Sequence, residues 1–438
     1  MSQSWLGRQF AAVVLAAIAA ASMWFYVQRM VVPHQEREAA DRQLPRGNLS
    51  DLYPRWLGAR ELLLRGRDPY SREVTLEIQR GYWGRELDPS KPGDPKDQQG
   101  FAYPVYVAFL LAPIVHLDFS VVHTLYFWWC TGFTVLSVFA WRRAVGAGMP
   151  PWETLTAIIL VLGSYPFAEA FSVQQPLLLD ALLLAGSFLA RRLDRLFFSG
   201  TLLAVATFKP QVALLPVILM LFWVSADWRG RQRWFWGFAS MMLALFAASE
   251  FVLSGWLFRF LAAVRAYSEY TSGTSFLDWF VGPRWSGLCR LLLILPVVWL
   301  SWKSRAAAAG SIIAVRALSL VLVTAVCIAP NLATYNQVLL IPGLFLVWDQ
   351  RAALRSGGIV ASGLSKVIAA LLVWPWAACG FLIVAKVAFH ADQFVRQAWQ
   401  LPLYTTLSLP IALLALLFLW PLADGAAKQA SLASEMLS

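Results

Sequence analysis

Residues 197–224 read FFSGTLLAVATFKPQVALLPVILMLFWV. One bilayer crossing takes about 20 apolar residues, so this stretch is too long for one ordinary span and too short for two full ones. Lys209-Pro210-Gln211 interrupts it near the middle. Helix breakers and a charge at membrane depth are tolerated where the backbone is buried in protein or lines a water-filled cavity. The stretch therefore predicts two short helices meeting near the outer leaflet, with Lys209 at their junction.

The rest of the chain agrees with a membrane setting. Of 438 residues, 59% are hydrophobic and 14% charged, against roughly 25% charged in soluble domains. There are 22 Trp, 28 Phe and 12 Tyr, and Trp and Tyr settle at membrane–water interfaces. Candidate spans fall near 10–32, 121–141, 153–168, 176–190, 197–208, 211–224, 234–253, 286–302, 311–329, 336–348, 366–388 and 401–421. The expected fold is an all-α polytopic transmembrane helical bundle of about 12 spans. The N-terminal apolar stretch is longer than a signal-peptide core and reads as a retained first span.

Charge divides the chain. Residues 33–100 carry 12 Lys/Arg and 12 Asp/Glu, so the net charge of +11 lies entirely outside them. Elsewhere the basic residues punctuate apolar segments in small groups and form no long basic face, which excludes nucleic-acid binding and favours the positive-inside rule. The stretch 101–117, FAYPVYVAFLLAPIVHL, decides the orientation. If it lies in the interface, with the N-terminus inside, then Arg142/Arg143, Arg191/Arg192/Arg195, Arg229/Arg231/Arg233, Lys303/Arg305 and Arg351/Arg355 all face the cytoplasm; a full crossing would invert them. The interfacial option is adopted. It divides the chain into a tail and first span (1–32), an extracytoplasmic loop (33–120), core spans (121–253), an extracytoplasmic loop (254–285), C-terminal spans (286–421) and a cytoplasmic tail (422–438).

Within the first loop, Ser50 to Arg65 reads as an amphipathic interfacial helix, with Ser50 as N-cap, Gly66 as its end and Leu52, Trp56, Ala59 and Leu63 along one side. Residues 84–100, rich in Pro, Gly, Asp and Lys, read as an irregular, mobile loop. Cys130, Cys289, Cys327 and Cys379 all fall in apolar segments, with no disulfide framework or CxxC site. There is no Walker-type loop, HExxH or Asp-x-Asp, and the four histidines are too scattered to suggest a metal site. The Asn48-Leu49-Ser50 sequon is treated as incidental.

Four segments in order carry a resemblance: SDLYPRWLGARELLLRGRDPY (50–70), FAYPVYVAFLLAP (101–113), FSVQQPLLLDALLLA (171–185) and SGTLLAVATFKPQVALLPV (199–217), with NLATYNQVLLIPGL (331–344) as a weaker fifth. Together they resemble glycosyltransferase family 87 of the GT-C superfamily, bacterial membrane enzymes related to polyprenol-phosphate-mannose-dependent mannosyltransferases. The resemblance covers roughly residues 10–235. Where the family often has Tyr-Pro-Pro, this chain has Tyr103-Pro104-Val105.

The resemblance implies transfer of a hexosyl or pentosyl unit from a polyprenyl-phosphate carrier to a lipid, glycan or protein hydroxyl on the outer face of the inner membrane. It implies no cofactor, the lipid-linked sugar being the donor substrate. Such chemistry needs a carboxylate to accept the hydroxyl proton and cations or amides to stabilise the leaving phosphate. Asp51 matches the family's catalytic aspartate. Its ordinary reading is a helix-start carboxylate paired with Arg55 at i,i+4.

Lys209 is read as a donor-phosphate ligand, because ionisable side chains within spans mark function; snorkelling to the interface is the competing account. Arg265, in the second outer loop, is another phosphate candidate, with Glu269 and Asp278 as ordinary partners. Gln174 and Gln175 either bond sugar hydroxyls or cap the following helix. Gln211 adjoins Lys209, Glu169 lies near the outer end of its span, and Asn331, Tyr335, Asn336 and Gln337 form an outer polar cluster, so Gln211, Glu169, Tyr335 and Asn336 join the substrate-binding candidates. Asp180 and Glu250 are expected to pair inside the bundle. Two other functions fit a many-span chain: a flippase of polyprenyl-linked sugars, which would favour repeated halves, and a non-catalytic envelope-assembly partner, which would tolerate replacement of Asp51 and Lys209.

Overall fold

Inside a bilayer every backbone polar group must be satisfied internally, and the described residues meet that demand with helices and no strand. The computed structural model describes residues 3–41, 50–88, 90–91, 93–270, 275–329 and 333–420. The sequon asparagine, Pro330, Asn331 and the tail 422–438 lie outside the described residues. The helices are α1 (Gln3–Tyr26), α2 (Val32–Asp41), α3 (Leu52–Arg65), α4 (Arg72–Trp83), α5 (Val107–Leu111), α6 (Phe119–Val145), α7 (Pro151–Leu162), α8 (Tyr165–Ser172), α9 (Leu177–Arg192), α10 (Leu196–Ala206) and α11 (Pro210–Ser225). There follow α12 (Trp228–Val252), α13 (Trp256–Tyr270), α14 (Phe276–Val281), α15 (Pro283–Lys303), α16 (Ile312–Ile328), α17 (Ile341–Asp349), α18 (Arg351–Ser356), α19 (Ile359–Val387), α20 (Asp392–Gln397) and α21 (Ser408–Leu419).

Among the described residues, six helical stretches are long and apolar enough to cross a membrane, namely 7–41, 119–145, 228–252, 283–303, 359–387 and 392–419; α7 and α8, bent by 55°, make a seventh if taken as one span. The expected number of about 12 also counted shorter apolar helices such as α10, α11 and α16. Residues 101–117 contain only α5 and a 3-10 turn at Ala112–Ile114. Eight helical residues rise about 12 Å, far short of the roughly 30 Å hydrocarbon core, so this segment does not cross as a helix.

The basic groups gather at one end of the bundle. An Arg192 amine donates to the Ala144 carbonyl at 3.3 Å, Gly148 N–H to the Asp349 carboxylate at 3.1 Å, and Arg231 to the carbonyls of Trp223 and Arg305 at 2.6 and 3.0 Å. The α8–α9 turn, the α10–α11 break and the 3-10 segment Thr334–Leu340 lie at the opposite ends of the same helices. Arg316, charged within α16, donates to the carbonyls of Leu417 and Phe418 at 2.6 and 3.1 Å, closing the end of α21. Gly200 and Gly237 let α10 and α12 touch backbone to backbone: a Cβ on either would stand 2.1 Å from a carbonyl oxygen of the other helix, the close approach that small residues permit between membrane helices.

In the loop that follows the first span, α3 starts at Leu52, and Ser50 is not its N-cap. Asp51 holds that position without a side-chain cap bond, and Gly66 ends the helix at φ 65°. Leu52, Trp56, Ala59 and Leu62 form the buried stripe against residues 101–115. Residues 84–100 are irregular, as their composition predicts, but are tied down by an Arg85–Asp94 pair at 2.5 Å and by the Gln79 amide reaching Gln98. Glu61, 1% exposed, is answered by Arg65 and Arg67, each at 2.8 Å. The loop's electrical neutrality is thus largely internal pairing.

The α7–α8 bend has a local cause. Pro166 lacks the N–H that would reach the Leu162 carbonyl, and the Phe167 N–H turns to Ser164 Oγ. Two indoles take over the released carbonyls: Trp24 Nε1 donates to Leu162 at 3.0 Å and Trp376 Nε1 to Gly163 at 2.7 Å. Replacing Trp376 with Phe keeps the ring and orphans a carbonyl, so we expect a loss of about 1–3 kcal/mol, read as a lower unfolding midpoint in detergent. An unchanged midpoint would show that the indole bond does not support the bend.

Candidate active site

The site is assembled from five chain segments that the backbone brings to the end opposite the basic clusters. Asp51 N–H donates to the Val173 carbonyl at 2.7 Å, joining the loop before α3 to the α8–α9 turn. Beside it, Ser50 Oγ donates to Gln174 Oε1 at 2.6 Å, and Gln174 Nε2 to the His123 carbonyl at 2.6 Å. Gln174 sits at φ 52°, a left-handed conformation uncommon for a residue with a side chain, and these two bonds hold it there.

Gln175, 2% exposed, faces the chemistry. Its Nε2 donates to Asp51 Oδ2 at 2.5 Å and its Oε1 accepts from Lys209 Nζ at 3.4 Å. An amide between a carboxylate and an ammonium has only this orientation, nitrogen to the anion and oxygen to the cation. Lys209 is 4% exposed and precedes Pro210 at the break, in a non-helical conformation. The nearby Thr207 carbonyl accepts from the Tyr106 hydroxyl at 2.9 Å. The Lys209 ammonium also lies 5.2 Å from the Tyr335 ring centroid, within cation–π range.

Two further charges complete the site. Asp180 on α9 is fully buried, and neither carboxylate oxygen has a hydrogen-bond partner among the described residues; Lys209 is its electrostatic counterpart. Arg55, one turn into α3, donates to the Asp51 backbone carbonyl at 2.6 Å, and its guanidinium stacks 4.6 Å from the Tyr103 ring centroid. Its Nε is buried without a partner among the described residues. Burial pushes the Asp51 carboxyl above the usual carboxylate range, aided by nearby Asp97, while Arg55, Lys209 and the Gln175 bond pull it back.

Arg55 also stands at the side of an apolar cleft formed by Leu52, Leu110, Trp129, Phe133, Leu179 and Phe208, among others. The site therefore combines two carboxylates, two cations and an amide with an adjoining hydrophobic surface. Such a set can accept a proton, hold a phosphate and accommodate a lipid chain.

The other sequence candidates divide. Glu169 accepts from the Thr334 hydroxyl and from the Tyr335 backbone, and so holds the segment that presents Tyr335. Asn336 is buried with Oδ1 unpartnered, while Gln337 donates to the Thr406 carbonyl at 2.6 Å. Three candidates are corrected. Gln174 is 0% exposed, with its amide oxygen and nitrogen both engaged by protein, and is a staple between Ser50 and α6. Gln211 is exposed at the start of α11, with no bond into the cluster. Arg265 is exposed on α13 and pairs with Glu269 at 3.4 Å, whereas Tyr267 on the same helix is the residue that interacts electrostatically with Asp51 and Arg55. Sequence reasoning missed Arg55 as a site cation, together with Tyr103; it expected Asp180 to pair inside the bundle without naming Lys209 as the counterpart. The signal for Arg55 was its place one turn after Asp51, where an exposed ion pair is the ordinary expectation.

Residues 101–330, just over half of the chain, match the sequence model of glycosyltransferase family 87. The chain belongs to glycosyltransferase family 87. No curated protein and no solved structure matches it. The family 87 stretch takes in Tyr103, Gln175, Asp180 and Lys209 and begins after Asp51 and Arg55, so it lies further along the chain than the 10–235 expected from the motifs. Family membership makes the protein a membrane glycosyltransferase. As a check on the correction above, Gln174→Ala should lower stability by about 1–3 kcal/mol by stranding the buried Ser50 and His123 groups. Lost turnover with an unchanged unfolding midpoint would instead return Gln174 to substrate binding.

Proposed function

We propose that this family 87 protein transfers a hexosyl or pentosyl unit from a polyprenyl-phosphate sugar to a hydroxyl of an envelope lipid, glycan or protein, with Asp51 as general base. The observation that carries the reading is the Asp51–Gln175–Lys209 relay, with Arg55 beside it at the apolar cleft. In the proposed step the acceptor hydroxyl gives its proton to the Asp51 carboxylate as its oxygen bonds to the anomeric carbon. The bond from that carbon to the phosphate oxygen breaks, and the phosphate leaves with the electron pair, its charge met by Lys209 and Arg55.

Gln175 orients the carboxylate, and the cleft takes the first part of the isoprenoid chain. No cofactor enters this scheme. With the basic end of the bundle toward the cytoplasm, as the positive-inside rule directs, Asp51 faces the outside of the inner membrane.

The purified protein would be incubated with a panel of polyprenyl-phosphate sugars and an envelope-lipid extract. Asp51→Asn should lower transfer by at least about 10²-fold, the usual weight of a general base, while the protein remains in the membrane; normal turnover in that variant removes Asp51 as base. Absence of transfer from every donor, with measured lipid translocation, would favour a flippase.

The pH profile gives a separate check. The base must be ionised, so kcat/KM should rise with pH through an acid limb above the ordinary carboxylate range, because burial raises the Asp51 carboxyl. Arg55 lowers that value, so Arg55→Gln should move the limb to higher pH besides weakening donor use. A limb that stays in place would separate Arg55 from Asp51.

A further inference from the structure

A second polar cleft lies away from the Asp51 site, where the first helix meets α19 and α20. Arg29, His34, Arg37, Lys386 and Arg396 line it, with Trp399. The helix widens into a π-turn at Val27–Val31, which carries Arg29, and such turns often mark functional positions. Tyr26 Oη donates to the Trp399 carbonyl at 2.6 Å, and His34 stacks on the Trp399 ring at 4.1 Å between centroids. These contacts fix the floor of the cleft.

Its charge is unbalanced. Asp392 is the carboxylate among the lining residues, and Lys386 already pairs with it at 3.4 Å. Arg37 and Arg396 each direct Nε to a nearby backbone carbonyl. Arg29 has no hydrogen-bond or ion-pair partner among the described residues.

The level of the cleft follows from the sequence of the two helices that build it. Residues 9–28 and 367–385 contain no charged side chain, and charge resumes at Arg29 and Lys386. Each uncharged run rises about 30 Å, the thickness of the hydrocarbon core, so the cleft stands at headgroup depth. Phe381 and Val384, more than half exposed on α19, lie on its hydrocarbon side.

We propose that this cleft binds the headgroup of an anionic membrane phospholipid, its phosphate on Arg29 and Arg396 and its acyl chains along Phe381 and Val384. A zwitterionic headgroup would bring a further cation to a site whose carboxylate is taken. The adjoining exposed apolar side chains select a lipid over a soluble phosphate. The proposal does not rest on the reading of Asp51.

Native mass spectrometry of the full-length protein would compare phosphatidylglycerol, phosphatidylcholine and inorganic phosphate. We expect preferential retention of phosphatidylglycerol that equimolar inorganic phosphate does not displace. With each cation near the surface contributing about fivefold, the Arg29→Gln/Arg396→Gln double variant should lose roughly 30-fold in phosphatidylglycerol affinity. The charge-retaining Arg29→Lys/Arg396→Lys variant should keep most of it, and Arg72→Gln, exposed on α4, should match the wild type. Equal affinity in the Gln double variant, equal loss in the Lys variant, or displacement by phosphate would each overturn the proposal.

Discussion

A buried ammonium has to be answered, and much of the polar architecture of this protein follows from the answer to Lys209. Pro210 breaks the helix there, the break keeps Lys209 inside the protein, and the interior offers no bulk water to solvate it. Asp180 supplies a counter-charge from α9, Gln175 an acceptor from the α8–α9 turn, and Tyr335 a ring face from beyond α16. Removing any one partner of such a cluster leaves the others uncompensated. The same cluster carries Asp51 at its edge through the Gln175 amide, so the charge-dense loop after the first span is fixed to the membrane bundle by polar contacts as well as by packing.

The helical class, the break at Lys209 and the neutrality of residues 33–100 were legible in the sequence, because each depends on local composition or on proline, whereas the placement of residues 101–117 rested on charge parity alone. The partners of individual polar groups were not legible. Arg55 was expected to pair with the Asp51 side chain four residues away, whereas in the structure it bonds the Asp51 backbone and stacks on Tyr103, nearly fifty residues on. Gln174 and Gln175 look equivalent on the page. One left-handed turn sends the first to Ser50 and α6, and leaves the second between Asp51 and Lys209. Arg265 was attractive as a cation on an outer loop, but an i,i+4 glutamate on the same helix already answers it.

Intramembrane charge is used here in two different ways. Arg316 closes the end of α21 by donating to the Leu417 and Phe418 carbonyls, a structural task that any chain of short, broken helices must solve. Lys209 and Asp180 instead face each other with hydrogen-bonding capacity left over, and Arg55 Nε adds to it. Three of the buried polar atoms that lack a partner among the described residues, both Asp180 carboxylate oxygens and Arg55 Nε, thus belong to the cluster around Lys209 and Asp51.

The bend between α7 and α8 also bears on how the chain is made. Its two released carbonyls are met by indoles from opposite ends of the sequence, Trp24 and Trp376, and the second lies 213 residues from the carbonyl it serves. At synthesis rates of about 5–20 residues per second, roughly 10–40 s separate the arrival of the joint from that of its second cap. During that interval the half-made bundle holds an exposed amide oxygen in or near lipid. The joint is therefore completed only when α19 docks, which makes it a late-closing seam that links the two halves of the protein.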